Sequence, residues 1–241
     1  MKRISLRLVA ALVLSALSLV LVWWLFWYVP GETRPNTETL HKLAEAGQMN
    51  SRFALGEAYR LGRGEDKDMV QAYEWHKKAA LQGHTGSQYM MGQILEQGDG
   101  VRQNLARAFE WYSLAAKMSD NPDAEFAMAQ MYFHGHGVAQ DFAEAFILYE
   151  KAARKGQRIA QHMLGAMYEE GWANGRDLVE AYKWYTLALP GRQAAIALNP
   201  LYDSRLMLDR LMPRMTKFQI RRGDEAVKDW KIEHDDPFSN N

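Results

Sequence analysis

QAYEWHKKAA, residues 71–80, sets a tryptophan beside a histidine, with a glutamate before the pair and two lysines after it. Taken alone, the stretch carries groups that bind, stack and transfer protons. The chain uses it four times, however: RAFEWYSLAA follows at 107–116, EAFILYEKAA at 144–153 and EAYKWYTLAL at 180–189. A single active site does not need four copies, so the stretch reads as a repeated building unit.

The register of the repeat is strict. Gly56, Gly92, Ala129 and Gly165 are spaced by 36, 37 and 36 residues, and the same steps carry Trp75 to Trp111, Leu148 and Trp184. Small residues precede each unit at Ser51, Ser87, Ala124 and Ala160, and glycines close its first half at Gly62, Gly98, Gly135 and Gly171. Each unit reads as two helices. The first ends in a loop glycine that supplies a left-handed residue, and the second opens on Asp68, Asn104, Asp141 or Asp177 as N-cap. Gln71, Glu144 and Glu180 three residues on complete a capping box, with Arg107 the exception. On the second helix Tyr73, Trp75, Ala79 and Ala80 define a broad apolar face. This reading seats Trp75 and Trp111 in the core. It makes His76, which is Tyr112, Tyr149 and Tyr185 in the other units, a partly exposed neighbour, so Trp111→Ala is expected to cost far more than His76→Ala.

Taken together, small-x-x-x-LG-x-x-Y-x-x-G-x-G followed by D-x-x-x-A-x-x-W-Y-x-x-A-A-x-x-G resembles the Sel-1-like repeat family, a relative of the tetratricopeptide repeats. The resemblance covers residues 51–189 in four units, and KLAEAG at 42–47 is similar to the end of a preceding second helix. It implies an all-α, right-handed solenoid of antiparallel helix pairs over 37–189. Ala129 for glycine, Leu148 for tryptophan and GWANG at 171–175 depart from the pattern. SRLMLDRLM at 204–212 and TKFQIRRGDEAVKDW at 216–230 resemble the helical pair that closes such arrays, making 190–232 a cap and 233–241 a polar tail. Gly223 reads as a point of fraying.

Basic and acidic residues balance at 29 each, so the chain lacks the positive field that nucleic-acid binding needs. With no cysteine, disulfides, thiolate metal sites and a cysteine nucleophile are excluded. The N-terminus is the strongest single signal outside the repeats. After Lys2, Arg3 and Arg7, residues 8–31 carry no charge, a length that crosses a hydrocarbon core of roughly 30 Å. Trp23, Trp24, Trp27 and Tyr28 form an aromatic belt at its far end, and Pro30-Gly31 follows. The expectation is a cytoplasmic 1–7, a transmembrane anchor at 8–29, a linker at 30–36 and repeats on the periplasmic side of an inner membrane. A cleaved signal peptide, leaving a soluble periplasmic protein, is the alternative.

No catalytic constellation emerges. The loops RLGRGEDKD, EQGDGVRQN and FHGHGVAQD lack both the third glycine of a dinucleotide fingerprint and the Gly-Lys-Ser/Thr of a P-loop. His134 and His136 are a weak metal pair without a third ligand at fixed spacing. The chain therefore reads as a non-enzyme without cofactor. What the repeat leaves free is the face of the first helices, expected to be concave and to bind another protein. Its candidates are Arg52, Glu57, Gln93, Glu96, Gln130, Phe133, His162 and Glu169, with Trp172 at the loop edge. By analogy with the resembled family, the leading expectation is a membrane-anchored periplasmic adaptor that binds an envelope protein. An immunity protein against a periplasm-delivered effector such as a lipase is the alternative, and a hydrolase with an unrecognised site comes third.

Overall fold

A computed structural model describes residues 37–119 and 121–235, so the expected anchor at 8–29, its flanks at 1–7 and 30–36, and residues 236–241 of the tail lie outside the described residues. Within that span the regular structure is helical. A single helix, α1 (Thr37–Glu45), leads into four pairs: α2 (Met49–Leu61) with α3 (Met69–Leu81), α4 (Thr85–Gln97) with α5 (Leu105–Ser119), α6 (Pro122–His134) with α7 (Phe142–Arg154), and α8 (Arg158–Glu170) with α9 (Leu178–Ala188). Each helix packs on the one before and the one after it, which is the sequential stacking of a helical-repeat array. After α9 come α10 (Arg192–Leu198), α11 (Ser204–Leu211) and α12 (Lys217–Asp235), and both α11 and α12 close over α9.

The loops follow the sequence signals closely. Gly62, Gly98, Gly135 and Gly171 take positive φ at the C-caps of the first helices, and Asp68, Asp141 and Asp177 accept two backbone N–H bonds each at the start of the second helices. The return leg of the capping box is replaced. The N–H groups of Asp68, Asn104, Asp141 and Asp177 donate to the carbonyls of Tyr59, Leu95, Tyr132 and Tyr168 on the preceding helix. Each cap therefore also ties its own helix pair together.

The core corrects the expected helix face. His76, Tyr112, Tyr149 and Tyr185 are the most deeply buried large side chains of the second helices, at 0–1% exposure, whereas Trp111 is only half-buried. Trp75 and Trp184 are buried as expected. The reason is helical geometry: the inner stripe runs through 72, 76 and 79, with 75 and 80 on its flanks. Position 76 and its equivalents rest on the small residue of the first helix. A Cβ at Gly56, Gly92 or Gly165 would stand 2.8, 2.4 or 2.7 Å from the His76, Tyr112 or Tyr185 ring. Gly223 is likewise no fraying point, because α12 runs straight through it and a Cβ there would meet the Tyr182 ring at 2.4 Å.

The buried hydroxyls are satisfied unevenly. Tyr112 Oη donates to Glu96 at 2.7 Å and Tyr185 Oη to Glu169 at 3.2 Å, but the equivalent of those acids in the third unit is Phe133, and Tyr149 Oη is buried without a partner. Tyr149→Phe is therefore expected to leave stability unchanged or raise it by up to about 1 kcal/mol. Tyr112→Phe should cost about 1–2 kcal/mol, since it strips a carboxylate of its donor. Urea unfolding of the two variants side by side checks the contrast.

Candidate partner-binding face

The first helices α2, α4, α6 and α8 present the candidate residues, and the array treats its two ends differently. In the N-terminal half, Arg52, Glu57, Gln93 and Glu96 all stay partly exposed. Arg52 Nε donates to the Ala44 carbonyl at 3.0 Å and Gln93 to Tyr89 Oη at 3.0 Å. Glu57 receives two bonds from Arg60, at 2.9 and 2.7 Å, and lies 3.3 Å from His76 Nε2, a contact outside hydrogen-bond geometry. Burial pushes the Glu57 carboxyl up, but the His76 and Arg60 interactions outweigh it and hold the group down at about 2.

In the C-terminal half the chain fills its own face. The 3-10 turn Pro200–Tyr202 and the residues after it lie against α6 and α8: Gln130 Nε2 donates to Tyr202 Oη at 2.9 Å, and His162 Nδ1 is 2.9 Å from Ser204 Oγ. The Tyr202 and His162 rings meet edge to face at 5.6 Å. Glu169 pairs with Arg214. His162 and Glu169, expected on an open surface, are thus buried at 4% and 8% exposure beneath residues 200–214, and Gln130 is committed to Tyr202. Burial drives the His162 imidazole down to about 4, against the opposing pull of Asp203 and the Leu201 backbone. Asp203 itself is held by Arg192, at 2.6 and 2.9 Å, and caps α11.

Phe133 belongs to neither half of the face. It joins Phe142 and Trp172 in an aromatic group at the loop edge, with ring centroids 5.2 and 5.0 Å away, and Trp172 remains 42% exposed. His134 and His136 stack on each other at 5.3 Å, and among the described residues no group of three or more metal-type side chains gathers there or elsewhere. A serine, a histidine and a carboxylate do approach one another, as Ser87 Oγ lies 3.4 Å from His76 Nδ1. Ser87 and His76 are fully buried, so no substrate carbonyl can reach that hydroxyl, and the group reads as core.

Repeat register, loop glycines and aspartate caps all coincide with one known repeat: residues 50–84, 85–120, 122–157 and 158–189 match the Sel1 repeat, over more than half of the chain. The chain belongs to the Sel1 repeat family. Its Sel1 array is similar to the crystal structure of a Sel1 repeat protein from Oxalobacter formigenes, with 33% identity, a TM-score of 0.60, and coverage of 63% of this chain and 60% of that one. It is also similar to a protective antigen of uropathogenic Escherichia coli that displays an SLR fold, with 29% identity, a TM-score of 0.66, and coverage of 82% and 41%. The chain thus spans less than two thirds of either protein. An immunity protein from Pseudomonas aeruginosa aligns over 83% of this chain and 79% of its own at 22% identity, but its TM-score of 0.46 carries no argument. The curated proteins contain no match.

The residues that fill the C-terminal half of the Sel1 face were not among the candidates. Tyr202, Ser204 and Arg214 lie 72, 42 and 45 residues from their partners, and no short-range pattern announces such pairs. The one available signal was Asp203, an N-cap ahead of the SRLMLDRLM helix.

Proposed function

We propose that this Sel1 protein is a non-enzymatic adaptor, anchored in the inner membrane by residues 8–29 with its repeats in the periplasm, and that it holds another envelope protein on the face of its first helices. The observation that carries the binding role is that this face already holds polypeptide: over α6 and α8 it takes in residues 200–204 through Gln130, His162 and a ring contact. The same face continues over α2 and α4 as Glu57, Arg60, Gln93 and Glu96, where it stays partly exposed. A surface that mixes glutamine, acids, arginine and aromatic rings suits a protein segment better than a small metabolite. The anchor and topology rest on the uncharged run, its aromatic belt and the positive charges at its start.

A photo-crosslinking amino acid placed at position 93 of the full chain in its own membrane should give a discrete protein adduct. The same group at Leu81, exposed on a second helix, should not. Adducts from position 81 alone would move the partner to the opposite side of the array. A reporter active only outside the cytoplasm, fused after Asn241, should be functional, and a soluble mature chain lacking residues 1–30 would replace the anchor with a cleaved leader.

A further inference from the structure

The third unit has leucine where the others have tryptophan, and the structure has a cavity there. It measures about 190 Å³ and lies among α5, α6 and α7, with Ser113, Ala116, Lys117, Met128, Leu148 and Lys151 in its wall. The repeat register shows what the space is. In the first unit Trp75 packs on Ala44, Leu55 and His41, and Ala116, Met128 and Ser113 are the residues at the corresponding positions around Leu148. Lys78, three residues after Trp75, lies over the indole with its ammonium 3.7 Å from the ring centroid. Lys151 stands three residues after Leu148 in the same relation.

We propose that this cavity is a docking site for a tryptophan side chain of a partner protein, seated where the array's own indole is absent. Four features select that occupant. The volume exceeds the roughly 150 Å³ that admits benzene into an apolar protein cavity. Lys151, in the cavity wall and largely exposed, supplies the cation for the exposed ring face; its ion pair with Glu125, at 3.5 Å, is the looser of the two that carboxylate makes, Lys155 holding it at 2.7 Å. Glu125 also lines the cavity, and its carboxylate, paired with Lys151 and Lys155, keeps lone pairs that an entering indole N–H can share and a phenyl ring cannot. Ile147 and Leu114, exposed one helical turn from Lys151 and Lys117, extend apolar surface beyond the size of one ring, which favours a side chain carried on polypeptide over a free small molecule. This site lies at the junction of the second and third units and does not depend on the first-helix face.

Methyl-labelled methionine in the full chain, held in lipid nanodiscs, gives a direct readout, because Met128 lines the cavity and its resonance is assignable by Met128→Leu. The capped tripeptide Ala-Trp-Ala should shift the Met128 methyl saturably through its ring current, and its cyclohexylalanine and phenylalanine counterparts should bind more weakly. Leu148→Trp should abolish the shift by filling the cavity. Lys151→Met, a change at the surface, should weaken tripeptide binding about threefold. A Met128 signal that never moves, or that moves equally in the Leu148→Trp chain, overturns the site. Free indole binding more tightly than the tripeptide would assign the cavity to a small molecule and overturn the partner side chain.

Discussion

Tyr112→Ala is expected to lower the unfolding free energy by roughly 3–5 kcal/mol, the cost of emptying a fully buried aromatic site. The ring is 1% exposed, lies against Gly92 where no Cβ intervenes, and donates its hydroxyl to Glu96, so truncation leaves a void at the centre of the second unit and strips a carboxylate of its donor. Trp111→Ala, next along the same helix, should cost less, roughly 2–3 kcal/mol, because that indole keeps part of its surface in water. His76→Ala should fall with Tyr112, at about 2 kcal/mol or more, since the imidazole is fully buried against Gly56. Because units in an array are stabilised by their neighbours, each loss should appear in the melt of the whole domain rather than as a local transition. Denaturant unfolding that ranks Trp111 above Tyr112 would place the stripe of the second helices one residue earlier than described.

Acid should loosen the C-terminal half of the array through His162. Burial lowers this imidazole from 6.5 to about 4, whereas in the unfolded chain it titrates near its ordinary value. Between those two values the unfolded state binds the additional proton, so stability rises with pH across the window and is lost as pH falls through it. The loss is about 2 kcal/mol at pH 5 and approaches about 3 kcal/mol near pH 4, since each tenfold difference in proton affinity between the folded and unfolded chain is worth about 1.4 kcal/mol. His162→Gln, which keeps a hydrogen-bonding group opposite Ser204, should flatten this part of the profile. Glu57 acts in a lower window: its carboxyl is depressed to about 2, so its contribution is complete above the ordinary carboxylate value and is lost only as pH falls from there toward 2. Unfolding free energies at pH 7 and pH 5 that drop in parallel for the parent and His162→Gln would show that protonation of His162 does not govern the docking of residues 200–204.

The repeat itself was legible because its determinants are local. A glycine that must take positive φ, an aspartate that caps two backbone donors of the next helix, and an alanine stripe at helical spacing each act within a few residues, so they print directly on the sequence and recur at steps of 36 and 37. The family, the four units and the helix pairs follow from them. The helix face was half legible: tryptophan is the conspicuous residue of QAYEWHKKAA, but burial is decided by angular position on the helix, and that favours the less conspicuous neighbour at 76. Only the tertiary structure decides what is reached across the fold. The N-cap N–H groups bond to the preceding helix instead of to a capping-box side chain. Gly223 serves the Tyr182 ring of a different helix, and Tyr202 and Ser204 close over Gln130 and His162. The N-cap bonds span nine residues, but the others bring together residues 41 to 72 positions apart whose identities carry no local conformational signal, so their pairing exists only once the chain has been folded back on itself. The proposed anchor at 8–29 stands at the other extreme, since that proposal rests on the length of an uncharged run and calls on no partner in the fold.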